Sequence, residues 1–226
     1  MANVIISNKD WHRQLAKKLT DETGEETIFI NDNNLVSQDY LSPFKPQYIF
    51  FPHWSYLIPA EVYENFECIV FHMTDLPFGR GGSPLQNLII RGYTETKLSA
   101  IRCVKELDAG DIYLQKKLSL YGSAEEIFLR ASKLMVEMMQ EIIGKKFVPT
   151  PQKGEIVTFK RRKPKEGNIS SLTDINKVFD YIRMLDAEGY PRAFLDIGQL
   201  HLEFERASLK DGCIKADVKI TVRDKQ

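Results

Sequence analysis

The pattern of apolar and polar positions in the first half of the chain predicts strands that alternate with helices. Apolar, β-prone runs lie near residues 3–6, 26–30, 47–51 and 67–71, and two alternating runs follow at 97–104 and 112–120. Continuous apolar runs are typical of strands that are buried on both faces of a parallel sheet. We therefore expect an α/β fold in which helices cover a mostly parallel sheet.

Cap residues predict where the helices begin. Ser7 or Asn8 would cap the first helix, and Ser83 would cap a short helix that follows the fourth strand. The spacing of Ser123 and Glu126 is a capping box, which predicts a long helix that ends near residue 145. Its Met-rich stripe is expected to lie in the core.

Prolines at positions 149 and 151 predict a boundary in the chain. Beyond it, a helical pattern starts near residue 173 and short β-like runs follow it. We expect a catalytic domain over residues 1–150 and a small α+β extension, 151–226, that completes the substrate side. The β-like runs of that extension are 193–197, 200–205 and 214–222.

One imidazole and one carboxylate are predicted to meet at strand ends. His72 follows the apolar run that ends at Phe71, and Asp108 lies 36 positions later in a turn between two alternating runs. Open α/β sheets build their sites at the carboxyl ends of strands. A histidine beside a carboxylate suits proton transfer during acyl transfer. The plain alternative for Asp108 is a turn residue that bonds its own backbone.

The composition of the chain bears on its expected partners and cellular location. The 226 residues carry 31 basic and 31 acidic side chains, and this zero net charge gives no global field for holding nucleic acid. Cys68, Cys103 and Cys213 lack metal-ligand spacing and are expected to be reduced, with no metal bound. No signal peptide or membrane-spanning stretch is predicted, so we expect a cytoplasmic location with no membrane contact.

Several motifs in register resemble the folate-dependent formyltransferase family. The similarity is strong over roughly residues 45–120 and looser elsewhere. It implies a Rossmann-like formyltransferase fold and N10-formyltetrahydrofolate as the cofactor, whose formyl group passes to an amine. The matching positions are His72, Thr74, Leu76-Pro77, Arg80-Gly81, Pro84, Gln86, Thr94-Glu95-Thr96 and Leu107-Asp108-Ala109-Gly110-Asp111.

The resemblance implies catalytic roles for His72, Asp108 and Thr74. An attacking amine must lose a proton and the leaving nitrogen must gain one, and an imidazole can serve both steps. It also implies that an aromatic loop after the third strand receives the pteridine ring; without the resemblance, this loop would be ordinary core and turn. The expected cofactor-binding residues are Trp54, Ser55, Tyr56, Leu57, Ile58, Thr74, Asp75, Leu76, Pro77, Arg80, Leu107 and Asp108.

Val70 departs from the family pattern, which has an Asn two residues before the histidine to hold the formyl oxygen. Valine cannot donate a hydrogen bond. Protonated His72, the Thr74 hydroxyl, a backbone N–H or a bound water would have to replace it. The alternative is an impaired enzyme that only binds folate.

The region 182–194 resembles sugar-nucleotide N-formyltransferases, and the family's tRNA enzyme normally has a further β-barrel domain and a basic surface. We therefore expect the acceptor to be the amino group of a nucleotide-linked amino dideoxy sugar of the kind used for surface polysaccharide, with no nucleic acid partner. Methionyl-tRNA or another aminoacyl carrier is the alternative. Relatives often pair, so a homodimer is possible. Lys160, Arg162 and Tyr190 are candidate substrate contacts, although the basic run 160–165 is more often a solvated linker.

Overall fold

The computed structural model describes residues 2–223. This part of the chain forms two compact units whose segments alternate along the sequence. The first unit runs to Gly81 and includes Thr96–Leu118 and Arg130–Thr158. The second contains Gly82–Glu95, Ser119–Leu129 and the residues from Phe159 onward. The predicted division near residue 150 stays a prediction.

The strands follow the predicted order closely. In chain order they are β1 (Ala2–Ile6), β2 (Thr27–Ile30), β3 (Pro46–Phe51), β4 (Cys68–His72), β5 (Phe78–Gly81), β6 (Glu95–Arg102), β7 (Ile112–Ser119), β8 (Val157–Phe159), β9 (Ala193–Ile197), β10 (Leu200–Lys210) and β11 (Cys213–Val222). The helices are α1 (His12–Thr23), α2 (Gln38–Leu41), α3 (Ala60–Tyr63), α4 (Pro84–Ile89), α5 (Ala124–Lys145) and α6 (Ile175–Leu185).

A six-stranded sheet in the order β2-β1-β3-β4-β6-β7 is the centre of the first unit. The strands β1 to β4 pair in parallel, and β6 is antiparallel to β4. On one side of the sheet, residues of β1, β3 and β4 pack into an apolar core with Leu41 and Val62. The prediction of an α/β fold with a mostly parallel sheet is confirmed.

The first helix begins later than predicted. It starts at His12, and neither Ser7 nor Asn8 caps it. Instead, the Ser7 hydroxyl lies 2.7 Å from Nδ1 of His12 and accepts a hydrogen bond from the Lys9 amide. The buried imidazole thus recruits the hydroxyl that the sequence pattern assigned to a cap.

The second unit contains an antiparallel sheet in the order β11-β10-β9, against which α6 packs. The capping box before α5 is confirmed, since the Ser123 amide donates to Glu126 and the Glu126 amide donates to the Ser123 hydroxyl. Ser83 lies at the start of α4 but does not cap it. Its hydroxyl accepts from the Arg162 amide instead.

Two strands were not predicted, and one is longer than predicted. The segment β5 contains two glycines, and its sequence predicts a loop. In the structure it pairs with β8, which lies more than seventy residues further along the chain. The strand β10 continues to Lys210 through an irregularity near Arg206, whose φ is 51°. Both departures depend on pairing between distant or bulged segments, which local propensity does not encode.

Among residues 2–223, no helix combines the length and the apolar character that crossing a membrane requires.

We expect the free energy of unfolding to fall as the pH drops below 6.5. Burial, together with the charges of His53 and Lys9, lowers the pKa of His12 to about 3, so the folded protein keeps this imidazole neutral while the unfolded chain protonates it. Stability from this group is complete above pH 6.5 and is lost toward pH 3; between pH 7 and 5 the loss is about 2 kcal/mol. Urea unfolding of wild type and of His12→Gln at pH 7 and at pH 5 measures this loss of stability. An equal loss in both proteins would contradict the assignment.

Candidate active site

His72 and Asp108 contact each other at the end of β4. His72 is 7% exposed, and its Nδ1 lies 3.4 Å from Oδ1 of Asp108, within ion-pair range but longer than a hydrogen bond. Its Nε2 lies 2.8 Å from the carbonyl oxygen of Gly79. Because a carbonyl only accepts, Nε2 carries a proton in this arrangement. The two predicted side chains therefore meet, while their catalytic roles stay predictions.

Asp108 is held by backbone contacts from another segment. Its Oδ2 accepts a hydrogen bond of 2.9 Å from the Gly81 amide, 27 positions earlier in the chain. Its own φ is 54°, in the left-handed region, where an L residue pays a backbone cost of about 1 kcal/mol. The carboxylate thus links the turn after β6 to the glycine-rich segment after His72. The alternative, a turn residue that bonds its own backbone, does not account for these contacts.

Gln152 is a residue of this site that the sequence did not reveal. Its side-chain oxygen accepts from Nε and Nη2 of Arg80 at 3.1 and 2.7 Å. Its side-chain nitrogen donates to the carbonyl oxygens of Asp108 and Gly110, both at 2.8 Å. The amide therefore joins Arg80 to the Asp108 turn. No local pattern distinguishes it from any other polar residue in a proline-rich segment.

Thr74 lies beside the histidine and is fully buried. Its hydroxyl donates to the carbonyl oxygen of Gly79 at 3.3 Å, and its own carbonyl accepts from Ser99 at 2.7 Å. Two donors, from His72 and Thr74, thus converge on one oxygen atom. Asp75, next in the chain, is exposed and forms an ion pair of 3.1 Å with Lys97.

The other predicted cofactor residues of the first unit differ in exposure. Leu76 and Pro77 are buried and joined by a cis peptide bond, whereas Leu107 is 64% exposed. In the aromatic loop, Tyr56 and Leu57 are 51% and 88% exposed. Exposed apolar side chains provide surface that a ligand can cover. Ser55 is also exposed.

Trp54 and Ile58 turn inward and pack against the apolar core. The Trp54 ring contacts Phe51 and Tyr56, with centroid distances of 5.7 and 5.2 Å. Its Nε1 is buried and, among the described residues, has no hydrogen-bond partner. A buried donor without an acceptor costs free energy, so this atom would gain from an acceptor on a bound molecule.

Val70 packs against the same apolar core as Trp54 and offers no donor. Two of the expected replacements for the missing Asn, the Thr74 hydroxyl and Nε2 of His72, both contact the Gly79 carbonyl.

Cys103 is a further titratable group near Asp108. Burial and the Asp108 carboxylate raise the pKa of its thiol to about 11. That thiol is protonated at neutral pH and is therefore a poor nucleophile.

The candidate substrate residues Lys160, Arg162 and Tyr190 belong to the second unit. Lys160 is exposed, as is Arg161 next to it. Arg162 is used internally, since it donates to the Glu166 carbonyl at 2.7 Å and its guanidinium lies 5.4 Å from the centroid of the Tyr181 ring. The Tyr190 ring lies 5.4 Å from that of Phe128, and burial raises the pKa of its phenol.

Across the part of the chain that the structure describes, no group of three or more His, Cys, Asp or Glu residues could hold a metal ion. The predicted absence of a metal stays a prediction.

A mostly parallel sheet with a buried histidine and a carboxylate at its strand ends fits an α/β transferase. The chain belongs to the formyl transferase family, whose model matches residues 4–154. A second model, described as the C-terminal domain of methionyl-tRNA formyltransferase, matches residues 164–221. The resemblance inferred from the motifs is confirmed at the level of the family.

Two relatives share the name methionyl-tRNA formyltransferase. A solved structure from Clostridium thermocellum is 50% identical, covers 98% of this chain and 100% of its own, and superposes with a TM-score of 0.94. A curated relative from Thermodesulfovibrio yellowstonii is 28% identical over 162 residues, which are 68% of this chain and 52% of that protein. The chain spans about half the length of the curated relatives it matches.

More distant structures share the fold. HypX from Aquifex aeolicus in complex with tetrahydrofolic acid is 19% identical, covers 92% of this chain and 38% of its own, and has a TM-score of 0.74. A sugar N-formyltransferase from Shewanella is 15% identical, with 100% and 99% of the two chains covered and a TM-score of 0.68. The expected likeness to sugar N-formyltransferases is therefore shown for the fold only. The relatives with more similar sequences are named methionyl-tRNA formyltransferase.

Gly110→Ala is expected to destabilise the protein by about 2 kcal/mol, because a Cβ at this position would lie 1.8 Å from the backbone oxygen of Arg102. Gly144→Ala is the matched control. It lies inside α5 with nothing within 4 Å of an added Cβ, so it should stabilise by up to about 1 kcal/mol. Urea unfolding of both variants gives the two values. A Gly110→Ala variant as stable as the control would show that the Asp108 turn is not packed as described.

Proposed function

We propose that this chain is an N-formyltransferase that uses N10-formyltetrahydrofolate and formylates the amino group of an aminoacyl ester, with methionyl-tRNA as the acceptor. The observation that carries the proposal is the contact between His72 and Asp108, 3.4 Å apart at the end of β4, in a chain of the formyl transferase family. A histidine supported by a carboxylate is the device that this proton transfer needs.

The aromatic loop fits a folate. A pteridine is a flat ring with several hydrogen-bond acceptors, and the loop combines apolar surface on Tyr56 and Leu57 with the unpartnered Nε1 of Trp54. The HypX structure with tetrahydrofolic acid shares this fold, which supports the same class of ligand here. When bound, the cofactor supplies the formyl group.

The residues around His72 explain how the missing Asn can be replaced. Nε2 of His72 and the Thr74 hydroxyl already point at one oxygen, that of Gly79. If the formyl oxygen takes that position, both donors stabilise the negative charge that develops on it. Gly79 has a φ of 81°, a region that glycine occupies freely, so its carbonyl can rotate away at little cost. As the bond from the formyl carbon to N10 of the folate breaks, Nε2 of His72 gives its proton to N10. The freed Nε2 then takes the proton that the attacking amine loses.

The acceptor is proposed from the relatives rather than from the site. The sequence alone favours a sugar acceptor, because region 182–194 resembles sugar-nucleotide enzymes and no β-barrel domain is expected. Residues 164–221 nevertheless match the model of the tRNA enzyme's C-terminal domain. The absence of a nucleic acid partner is therefore not supported. Five of the six residues from Lys160 to Lys165 are basic, and all but Arg162 are exposed. Exposed cations of this kind bind phosphates.

Replacing His72 or Asp108 by Ala should lower turnover by about 10²- to 10⁴-fold, because each removes a member of the proton-transfer pair. The assay follows tetrahydrofolate release with N10-formyltetrahydrofolate and, in parallel, methionyl-tRNA, UDP- and dTDP-linked 3-amino and 4-amino sugars, and glycinamide ribonucleotide. We expect product only with methionyl-tRNA. Folding of each variant is checked by its urea midpoint.

Three other outcomes of this assay would each contradict one part of the proposal. Formylation of an amino sugar alone would restore the acceptor expected from the sequence. Binding of the folate without turnover on any acceptor would leave a folate-binding module. Wild-type rates in either variant would remove that residue from the mechanism.

Lys160→Ala and Arg161→Ala should each raise KM for methionyl-tRNA without changing KM for the formyl donor. Each substitution removes about one phosphate contact, so the slope of log kcat/KM against log salt should become shallower by about 1. Lys17→Ala, which removes an exposed cation on α1, is the matched control. Unchanged salt slopes in both variants would place the RNA elsewhere.

A further inference from the structure

A second group of buried and half-buried polar side chains lies outside the His72 site, beyond the carboxyl ends of β1 and β3. We call it the Ser132 cluster, and it consists of Ser7, Trp11, His12, His53 and Ser132. The Ser132 hydroxyl lies 3.0 Å from Nε2 of His12 and 3.0 Å from Nε2 of His53. It also accepts from the Trp11 indole at 3.4 Å. The mechanism proposed above uses none of these groups.

Three polar groups lie within hydrogen-bond distance of the Ser132 hydroxyl. Ser132 has one hydroxyl proton and can accept two hydrogen bonds. If it accepts from the Trp11 indole and from one imidazole, it donates to the other imidazole. Nδ1 of His12 is 2.7 Å from the Ser7 hydroxyl, so both nitrogens of this fully buried ring have partners. Satisfied buried networks of this kind hold their members in one arrangement.

His53 needs such support because its backbone is strained. Its φ is 49°, in the left-handed region that costs a non-glycine residue about 1 kcal/mol. Its ring stacks on His12 with a centroid distance of 5.4 Å and an interplanar angle of 6°. The stacking and the Ser132 contact together fix the imidazole, and hence the direction in which the chain leaves β3.

The next residue in the chain is Trp54, the first of the loop Trp54–Ile58. The order of the sheet places β1 between β2 and β3, so the chain leaves β1 toward one side and β3 toward the other. Ligands of open α/β sheets bind where the strand order reverses in this way. The Ser132 cluster therefore anchors the loop at the point where the fold itself favours a ligand.

We propose that His53, fixed by Ser132 and His12, is a positioning residue that sets the course of the loop Trp54–Ile58 and so controls the affinity for the formyl donor. The kinetic part of this inference rests on the function proposed above. The structural part does not, because the course of the loop can be measured without any ligand.

Two substitutions test the inference. Ser132→Ala removes the hydroxyl that both imidazoles share. His53→Asn removes the imidazole but keeps a residue that tolerates the left-handed backbone. Thr23→Ala is the control, because its hydroxyl donates to the Leu19 carbonyl of its own helix. The readouts are hydrogen exchange of the amides of residues 54–58 in the free protein, and KM and kcat for N10-formyltetrahydrofolate.

We expect both variants to exchange the amides of residues 54–58 about tenfold faster than wild type, with β4 unchanged, as the loss of about 1.4 kcal/mol of local stabilisation requires. KM for the formyl donor should rise about tenfold while kcat changes little, because the loop binds the donor and His72 performs the proton transfer. A merely structural role would speed exchange throughout the sheet or lower kcat instead.

Unchanged exchange at residues 54–58 in both variants would overturn the inference, and so would a lower kcat with an unchanged KM. If Ser132→Ala does not fold, His53→Asn decides alone, because it leaves the hydroxyl and His12 in place. If wild type transfers no formyl group, the proposed function fails, and the exchange measurement still decides whether the cluster positions the loop.

Discussion

The carboxylate of Asp108 is the contact on which the arrangement of the candidate site depends. It faces the imidazole of His72 with one oxygen and holds the Gly81 amide with the other. It can do so only because its turn is fixed in a left-handed conformation, with Gly110 tight against Arg102 and Gln152 bonded to two carbonyls of the turn. Loss of this turn would release the histidine and the glycine-rich segment together.

Polar groups with different hydrogen-bond status lie at the start of the aromatic loop of the first unit. The members of the Ser132 cluster are joined by hydrogen bonds, whereas Nε1 of Trp54 is buried without an acceptor among the described residues. A satisfied network gives rigidity, and an unsatisfied donor gives a place for a ligand. The two lie next to each other in the chain, at residues 53 and 54. The loop thus starts next to a residue that is held by a hydrogen bond, and its first residue has a buried donor with no acceptor among the described residues.

Val70 lies where the resemblance implies an Asn donor, and two other donors lie near it in the chain. The valine joins the apolar core, and the donors from His72 and Thr74 remain aimed at one oxygen. In the free protein, the Gly79 carbonyl satisfies them, which avoids the cost of two buried donors without partners. In the mechanism that we propose, the formyl oxygen takes the place of the Gly79 oxygen, and no new donor is needed.

The sequence by itself determined the sheet strands, the long helix α5 and the meeting of His72 with Asp108. The strands and the helix depend on local periodicity, which a single chain shows. The pairing of the two side chains was expected from strands that end at one edge. In the structure, β6, which precedes the Asp108 turn, is antiparallel to β4, so the turn itself brings the carboxylate back to His72. The sequence also revealed the family, through several motifs in register.

Only the tertiary structure decided the strand pair β5–β8, the role of Gln152 and the Ser132 cluster. In each case residues that are far apart in the chain satisfy one another's hydrogen bonds, and no local pattern records such partners. Ser7 illustrates the limit: its position fits a helix cap, but a buried imidazole from the next turn of chain competes for the same hydroxyl and binds it. A local preference such as that of Ser for a helix cap is overridden where a buried polar group needs a hydrogen-bond partner.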